Sequence, residues 1–178
     1  MSTRGCIARL MRKDPLEFEG VYHHWDSYPS GLGRTLFHLR RGFFRKDTDA
    51  MLNVLIDQHP AGWSVIVGAR FDLKPGFRER SKSREKDEDA DERPRCYCHG
   101  DRHNAGWTVT HKNAADSGIE YAYVFDGHKM LVAGSFCGDG EKMVGMFGMG
   151  DPDAVWSVIA EVDLDGPEPD WERLDEVS

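Results

Sequence analysis

Two short segments concentrate the side chains that could bind a ligand or catalyse a reaction. The first is Tyr22–Pro29, which holds two imidazoles, a carboxylate, two phenols and an indole. If this segment continues as a strand, Tyr22, His24 and Asp26 share one face, because side chains alternate between the faces of a strand. His24 and Asp26 could then form the oriented imidazole–carboxylate pair that a general base or a metal ligand requires. A structural alternative assigns Asp26 to a turn and Trp25 to the core.

The second segment, 96–103, combines thiols, imidazoles and charged groups. Thiolate and imidazole groups are ligands that zinc prefers. The four candidate zinc ligands are Cys96, Cys98, His99 and His103. Their spacing differs from the usual zinc pattern, which has a distant second pair, so we expect His111 or Cys137 to complete such a site. The alternative interpretation is two small, half-buried cysteines in a polar loop.

A catalytic or anion-binding interpretation of the second segment is also open, in which His99, Asp101 and Arg102 act together. We expect both segments to line one polar pocket for a small anionic, nucleotide-like ligand. The predicted catalytic residues are His24, Asp26, His99 and Asp101. The predicted ligand-binding residues are Tyr22, Trp25, Tyr28, Arg34 and Arg102. Trp25 or Tyr28 would stack on the base, and phosphoester hydrolysis would follow if a metal joined the cluster.

An alternative hypothesis is a non-catalytic, phage-related interaction protein that binds a host protein or nucleic acid. The acidic C-terminal residues would then mimic or repel nucleic acid, and the cluster at Tyr22–Pro29 would be structural. No motif in the sequence names a reaction, so the sequence leaves open whether the protein is an enzyme.

Short alternating segments predict a mainly antiparallel sheet. Thr3–Met11 and Glu17–His24 flank the turn signal Lys13-Asp14-Pro15 and predict a hairpin. Asp126-Gly127 predicts a second hairpin between Ile119–Phe125 and Lys129–Ser135. Further strands are expected at Trp63–Val67, Arg95–His99, Trp107–His111, Met143–Phe147 and Val155–Asp163.

Two helices are expected in the N-terminal half. The first runs from about Gly31 to Phe44, with Ser30 as its N-cap. Its apolar stripe is formed by Leu32, Leu36, Leu39 and Phe43. The second helix covers Thr48–His59. Several antiparallel strands with two early helices predict an α+β fold in which the helices pack on one face of the sheet.

Charge is distributed unevenly along the chain, which has a net charge of −8. Residues 34–46 carry five Lys or Arg and no acid, whereas residues 151–178 carry ten acids and one basic residue. Residues 78–95 hold seven basic and seven acidic residues, which predicts a mobile charged loop or a solvated helix. Residues 166–178 are expected to form an acidic tail or one weak helical turn.

Length and composition suggest the class of protein. At 178 residues we expect a single domain, 1–178. No apolar run approaches the length of a bilayer span, so no membrane insertion is expected. Four cysteines without a secretory signal favour a reduced, cytoplasmic protein. The negative charge disfavours non-specific nucleic-acid binding without excluding a local anion site. An exposed sheet edge in the second half would suit a homodimer.

The order of motifs resembles a group of small uncharacterised proteins from phages and bacteria. Their signature, Tyr-x-His-Trp-Asp-Gly-Tyr-Pro followed by a helix, is matched by Tyr22–Pro29, with Ser27 at the Gly position. His99-Gly100-Asp101-Arg102 and Glu120–Phe125 resemble two further segments of that group. No function is established for the group. The resemblance implies that five polar residues lie together, namely His24, Asp26, His99, Asp101 and Arg102.

Overall fold

The computed structural model describes residues 3–75, 92–99, 106–136 and 155–177. The strands in these ranges are β1 (Gly5–Arg12), β2 (Glu17–His23), β3 (Trp63–Val65), β4 (Arg95–Cys96), β5 (Val109–Thr110), β6 (Tyr121–Asp126), β7 (Lys129–Phe136) and β8 (Val155–Asp163). The helices are α1 (Arg34–Arg41), α2 (Thr48–Leu52) and α3 (Trp171–Val177), with shorter helical turns at Pro29–Gly33, Asn53–Asp57 and Ala115–Ser117. The strand predicted at Met143–Phe147 and residues 78–91 of the predicted charged loop lie outside the described residues.

The strands form one sheet in the order β4-β3-β2-β1-β6-β7-β8, with β5 also paired to β2. Antiparallel pairing predominates, because only β1–β6 and β2–β3 are parallel among the described strand pairs. The predicted α+β class with a mainly antiparallel sheet is therefore confirmed. The parallel pair β1–β6 at the centre of the sheet was not predicted.

The hairpin of β1 and β2 depends on a close approach of the two backbones. Gly20 in β2 lies opposite Ala8 in β1. A Cβ atom added to Gly20 would stand 2.0 Å from the carbonyl oxygen of Ile7. Only glycine can therefore occupy this position without moving a strand.

The predicted hairpin at Asp126-Gly127 is formed by β6 and β7. Asp126 pairs with Lys129, and Gly127 has a φ of 57°. This left-handed backbone conformation is one that glycine adopts without steric cost. The turn chemistry explains why this prediction succeeds.

The two N-terminal helices form where expected but with different ends. The first begins as the turn Pro29–Gly33, and its α-helical part ends at Arg41. Ser30 is not the N-cap, because it lies inside this turn, whose N-cap is Tyr28. Its backbone N–H and its hydroxyl donate to the carboxylate of Asp175 at 2.9 and 2.5 Å. Phe43, predicted on the apolar stripe, is exposed because the helical periodicity stops before it. The second helix comprises α2 and the turn that follows it.

Buried side chains form two clusters. The first joins the helices to the strands and includes Ile7, Leu36, Phe37, Met51, Leu55, Tyr123 and Phe125. The second includes Cys6, Ala8, Phe18, Ala122 and Val124. Neighbouring residues of β1 and β6 alternate between the two clusters, as strand geometry requires.

The C-terminal acids are paired with the basic residues of α1. Trp171 of α3 is buried, in the segment predicted as an acidic tail or weak turn. Arg34 donates to Glu172 at 2.5 Å. The buried Arg40 donates to Asp165 at 2.9 Å, and its positive charge and hydrogen bond lower the pKa of that carboxyl to about 2. Two arginines of the basic helix, Arg34 and Arg40, are thus neutralised by acids of the C-terminal segment.

Candidate functional site

The junction after β2 bends sharply at Asp26. His24 and Trp25 still extend the strand, since their backbone N–H groups donate to Trp63 and Ser64 carbonyls at 3.1 and 3.3 Å. Asp26 has a φ of 56°, a conformation outside the strand region. The alternation that would have placed Asp26 beside His24 therefore ends one residue too early. The pairing of His24 with Asp26 therefore stays a prediction, made from a strand alternation that the backbone does not continue at Asp26.

The imidazole ring of His24 is oriented by a contact with Tyr22. The Tyr22 hydroxyl lies 2.6 Å from the Nδ1 atom of His24. Trp25 packs edge-on against the His24 ring, at 4.6 Å between ring centroids. Tyr97, which follows β4, brings its ring to 6.3 Å from that of Tyr22. The two segments singled out in the sequence therefore meet through their aromatic residues.

Arg4, just before β1, supplies the positive charge of this aromatic cluster. Burial raises the pKa of Tyr22 to about 12, and the nearby Arg4 charge acts in the opposite direction. Burial also lowers the pKa of His24, and Arg4 lowers it further. Burial also raises the pKa of Tyr97, whereas a hydrogen bond with Ser64 and the charge of Arg4 act to lower it. The charge of Arg4 therefore acts on all three side chains.

The guanidinium of Arg4 is incompletely satisfied. Its Nη1 donates to the Ser117 carbonyl at 3.3 Å. Its Nε is buried and has no hydrogen-bond partner among the residues that the structure describes. Within the same ranges no carboxylate forms an ion pair with Arg4. A cation in this state, whose charge acts on two phenols and an imidazole, is suited to hold an anion. We call Arg4, Tyr22, His24, Trp25 and Tyr97 the Arg4 cluster.

A second polar group lies at the sheet edge where β3 pairs with β4. Trp63 of β3 lies opposite Cys96 of β4. The Sγ atom of Cys96 stands 2.9 Å from the Nδ1 atom of His99. His59, which precedes β3, places its ring 5.4 Å from that of His99, between ring centroids. One ligand atom from each of His59, Cys96 and His99 lies within 4.8 Å of the other two.

The zinc set predicted from sequence is only partly assembled. Cys96 and His99 come together, whereas the Sγ atom of Cys98 accepts a hydrogen bond from the Ala61 backbone N–H at 3.3 Å. His111, considered as an additional ligand, packs against Phe18 at 6.2 Å between ring centroids. His103 and Cys137 lie outside the described residues.

The other predicted site residues are placed as follows. Arg34 is paired with Glu172 and, at 3.9 Å, with Glu168, so its charge is already neutralised. Tyr28 is partly exposed at the start of the turn before α1. Asp101 and Arg102 lie outside the described residues. Of the predicted residues, Tyr22, His24 and Trp25 are therefore brought together.

His23, the other imidazole of the junction, is structural. It is fully buried, and its Nδ1 lies 2.7 Å from the Ser27 hydroxyl. The Ile66 backbone N–H donates to Nε2 at 3.3 Å. Burial and the neighbouring His24 lower the pKa of His23 to about 3. The ring is therefore neutral at physiological pH and ties the junction to the end of β3.

Three functional candidates were missed from the sequence: Arg4, His59 and Tyr97. Arg4 was not distinguishable from any other charged residue at a strand end. His59 was assigned to the end of the second helix. Its position just before Pro60-Ala61-Gly62 and a strand was the available signal, because helix ends and the loops after them often carry binding residues.

Comparison with protein-family models, with curated proteins and with solved structures gives no match to this chain. In the part of the chain that the structure describes, none of the helices has the length and apolar character needed to cross a bilayer. The functional argument therefore depends on the Arg4 cluster and on the group at the sheet edge.

Proposed function

We propose that this protein binds a small anionic ligand, of the phosphate-bearing, nucleotide-like class, at the Arg4 cluster. The observation that supports this most directly is the guanidinium of Arg4, half-buried and without a carboxylate partner among the described residues. Such a cation is costly to desolvate unless an anion compensates it. A guanidinium also matches the planar, two-point geometry of a phosphate or carboxylate.

Neighbouring groups suit the remainder of a nucleotide. The Tyr22 and Tyr97 hydroxyls can hydrogen-bond to phosphate oxygens or sugar hydroxyls. Trp25 is 46% exposed beside His24, so its indole offers a free surface on which a base can stack. This assigns to Arg4 the anion-holding role that the sequence suggested for Arg102, with Arg34 as a second residue. Arg102 lies outside the described residues, and Glu172 neutralises the charge of Arg34.

A catalytic form of the proposal is phosphoester hydrolysis, with His24 as the general base. Burial and Arg4 keep the pKa of His24 low, so the ring is neutral near pH 7 and can accept a proton from water. Release of nitrophenol from 4-nitrophenyl phosphate measures this activity. A His24→Ala protein that binds phosphate normally but releases no nitrophenol supports catalysis. Turnover equal to that of the wild type contradicts it.

Binding is tested by calorimetric titration of the full chain with inorganic phosphate and with adenosine monophosphate. Arg4→Gln should weaken binding about tenfold or more, since a charged hydrogen bond is worth roughly 1.5–3 kcal/mol. Arg9→Gln is the matched control, because Arg9 also belongs to the N-terminal strand region but is paired with Asp57 at 2.7 Å. Equal weakening by both substitutions, or no binding of either probe to the wild type, would refute the proposal.

The second candidate is an interaction protein without a small ligand, in a cytoplasmic setting, acting on a host protein or nucleic acid. The exposed Trp25 favours this reading, since exposed aromatic residues are common in interfaces. Absence of phosphate and nucleotide binding, together with a folded Arg4→Gln protein, would leave this candidate.

For the fold, we further propose that α1 and α2 cover one face of the sheet. Residues of both helices share a buried cluster with Tyr123 and Phe125, which supports this proposal.

A further inference from the structure

The group at the β3–β4 edge has the composition of a transition-metal site. Its three ligand atoms, from His59, Cys96 and His99, lie within 4.8 Å of one another. A tetrahedral ion with bonds of about 2.3 Å to sulfur and about 2.0 Å to nitrogen holds its ligand atoms roughly 3.3–3.6 Å apart. Small rotations of the side chains are enough to reach that spacing. Neither the Arg4 cluster nor the buried His23 uses any of these three residues.

His59 is already in the form that binds a metal. Its Nδ1 lies 2.7 Å from the Val54 carbonyl oxygen. A carbonyl can only accept, so Nδ1 carries the proton and Nε2 of the neutral ring has a lone pair. Metal-bound histidines usually donate their other N–H to a carbonyl or carboxylate in this way. The ring also lies over Trp63, at 4.3 Å between centroids, which fixes its orientation.

Cys96 and His99 are adjacent in space, with the Sγ and Nδ1 atoms 2.9 Å apart. Thiolate and imidazole are both ligands that zinc prefers. His99 is exposed, so one side of the group faces solvent.

We propose that His59, Cys96 and His99 bind one zinc ion as three of its ligands. One thiolate and two imidazoles match the ligand preference of zinc, and carboxylates, which magnesium and calcium need, are absent from the group. Among the described residues, no fourth side chain joins the three. Cys98 is held by Ala61 beside the site and is not a ligand.

The ion would also fasten an edge of the sheet. β4 contains only two residues, and its antiparallel contact with β3 is correspondingly short. His59 precedes β3, and Cys96 and His99 belong to or follow β4. Zinc would therefore join the two chain segments covalently through its ligands, and metal-loaded protein should unfold at a higher temperature than metal-free protein.

The experiment uses the full chain without a histidine tag, treated with a chelator and then titrated with zinc and, separately, with cobalt(II). We expect one equivalent of either metal, a thiolate-to-cobalt charge-transfer band, and the intense visible absorption of four-coordinate cobalt. Absence of uptake at micromolar metal would overturn the proposal. In a third titration, with copper(II), uptake of copper by protein that takes up no zinc would overturn the choice of metal.

Variants identify the ligands. His99→Gln is the decisive one, because an exposed residue can be replaced without loss of folding, and it should weaken zinc binding at least about 100-fold. Cys96→Ser should remove the charge-transfer band. Cys98→Ser is the matched control and should bind zinc within about threefold of wild type. Wild-type affinity in His99→Gln, or equal losses in the two cysteine variants, would refute the ligand set.

The zinc proposal does not depend on the proposed function. Arg4→Gln should bind zinc normally, and His99→Gln should keep its affinity for inorganic phosphate. Each proposal can therefore fail while the other stands.

Discussion

Lowering the pH from 7.5 to 5.0 should destabilise the protein through His23. This ring is fully buried, and the backbone N–H of Ile66 donates to its Nε2. An N–H group cannot accept a hydrogen bond, so protonating Nε2 breaks this contact and places a charge inside the core. Burial and the neighbouring His24 accordingly lower the pKa of His23 from 6.5 to about 3.

The magnitude follows from proton linkage. With a folded pKa of about 3 and an unfolded pKa of 6.5, the unfolded chain binds more protons throughout that interval. The contribution of His23 to stability is therefore complete above pH 6.5 and is lost as the pH falls towards 3. At pH 5.0 the loss is about 2 kcal/mol, since each pH unit below 6.5 costs about 1.4 kcal/mol.

Urea unfolding at both pH values measures this loss in the wild type, in His23→Gln and in His128→Gln. A glutamine at position 23 can still accept from Ile66 and donate to Ser27, and it does not titrate. The free energy lost between pH 7.5 and 5.0 should be about 2 kcal/mol smaller in His23→Gln. His128, whose side chain is 82% exposed, is the control and should leave the loss unchanged within about 0.5 kcal/mol.

An equal loss in the wild type and in His23→Gln would refute the argument from burial. Burial also lowers the pKa values of His24 and His59, so these residues add to acid destabilisation in the same direction. Their contribution is present in all three proteins and cancels in the comparison. The difference therefore isolates His23.

Four further substitutions test the fold by chemical denaturation. Gly20→Ala should lower the free energy of unfolding by about 3 kcal/mol or prevent folding, because the added Cβ would meet the backbone of β1. A Cβ at Gly127 would have no atom within 4 Å, so Gly127→Ala should lower it by only about 1 kcal/mol, because of the positive φ there. Equal costs would refute the close approach. Arg40→Met should cost about 2–3 kcal/mol, less than for a fully buried pair, because its partner carboxylate is partly exposed. Trp171→Ala should cost about 3–5 kcal/mol through the cavity that it leaves; a loss below 1 kcal/mol would mean that α3 is not part of the core.

Local signals in the sequence predicted most of the strands. The hairpins of β1–β2 and β6–β7 follow from alternation and from turn residues next to the strands, such as Asp126-Gly127. Such signals act over a few residues and can be read from one sequence. The pairing of β1 with β6 cannot be predicted from one sequence, because no residue near Gly5 specifies a partner strand that begins after residue 120.

The prediction of the candidate sites likewise succeeded for residues that are close in sequence and failed for residues that only strand pairing brings together. Tyr22, His24 and Trp25 are close in sequence and were found together, although the backbone at Asp26 departs from the strand that was predicted there. Asp tolerates a positive φ better than most residues, but its sequence position alone does not reveal one. His59 reaches Cys96 only through the pairing of Trp63 with Cys96. Nearly all of the strongly charged residues 78–95 lie between β3 and β4 in the sequence, so the sequence alone does not indicate that these two strands pair.

The parallel pairing of β1 with β6 also has a consequence for biosynthesis. Arg4 and Glu120, at one end of this pairing, are 116 positions apart. At roughly 5–20 residues per second, the ribosome needs on the order of 6 to 23 seconds between them. During that time the inner edge of the β1–β2 hairpin has no native partner, and it is open to pairing with other nascent chains. The centre of the sheet can form only late in translation. The yield of folded protein in cells should therefore depend on how well the unpaired edge of β1 is protected from other chains until β6 has been synthesised.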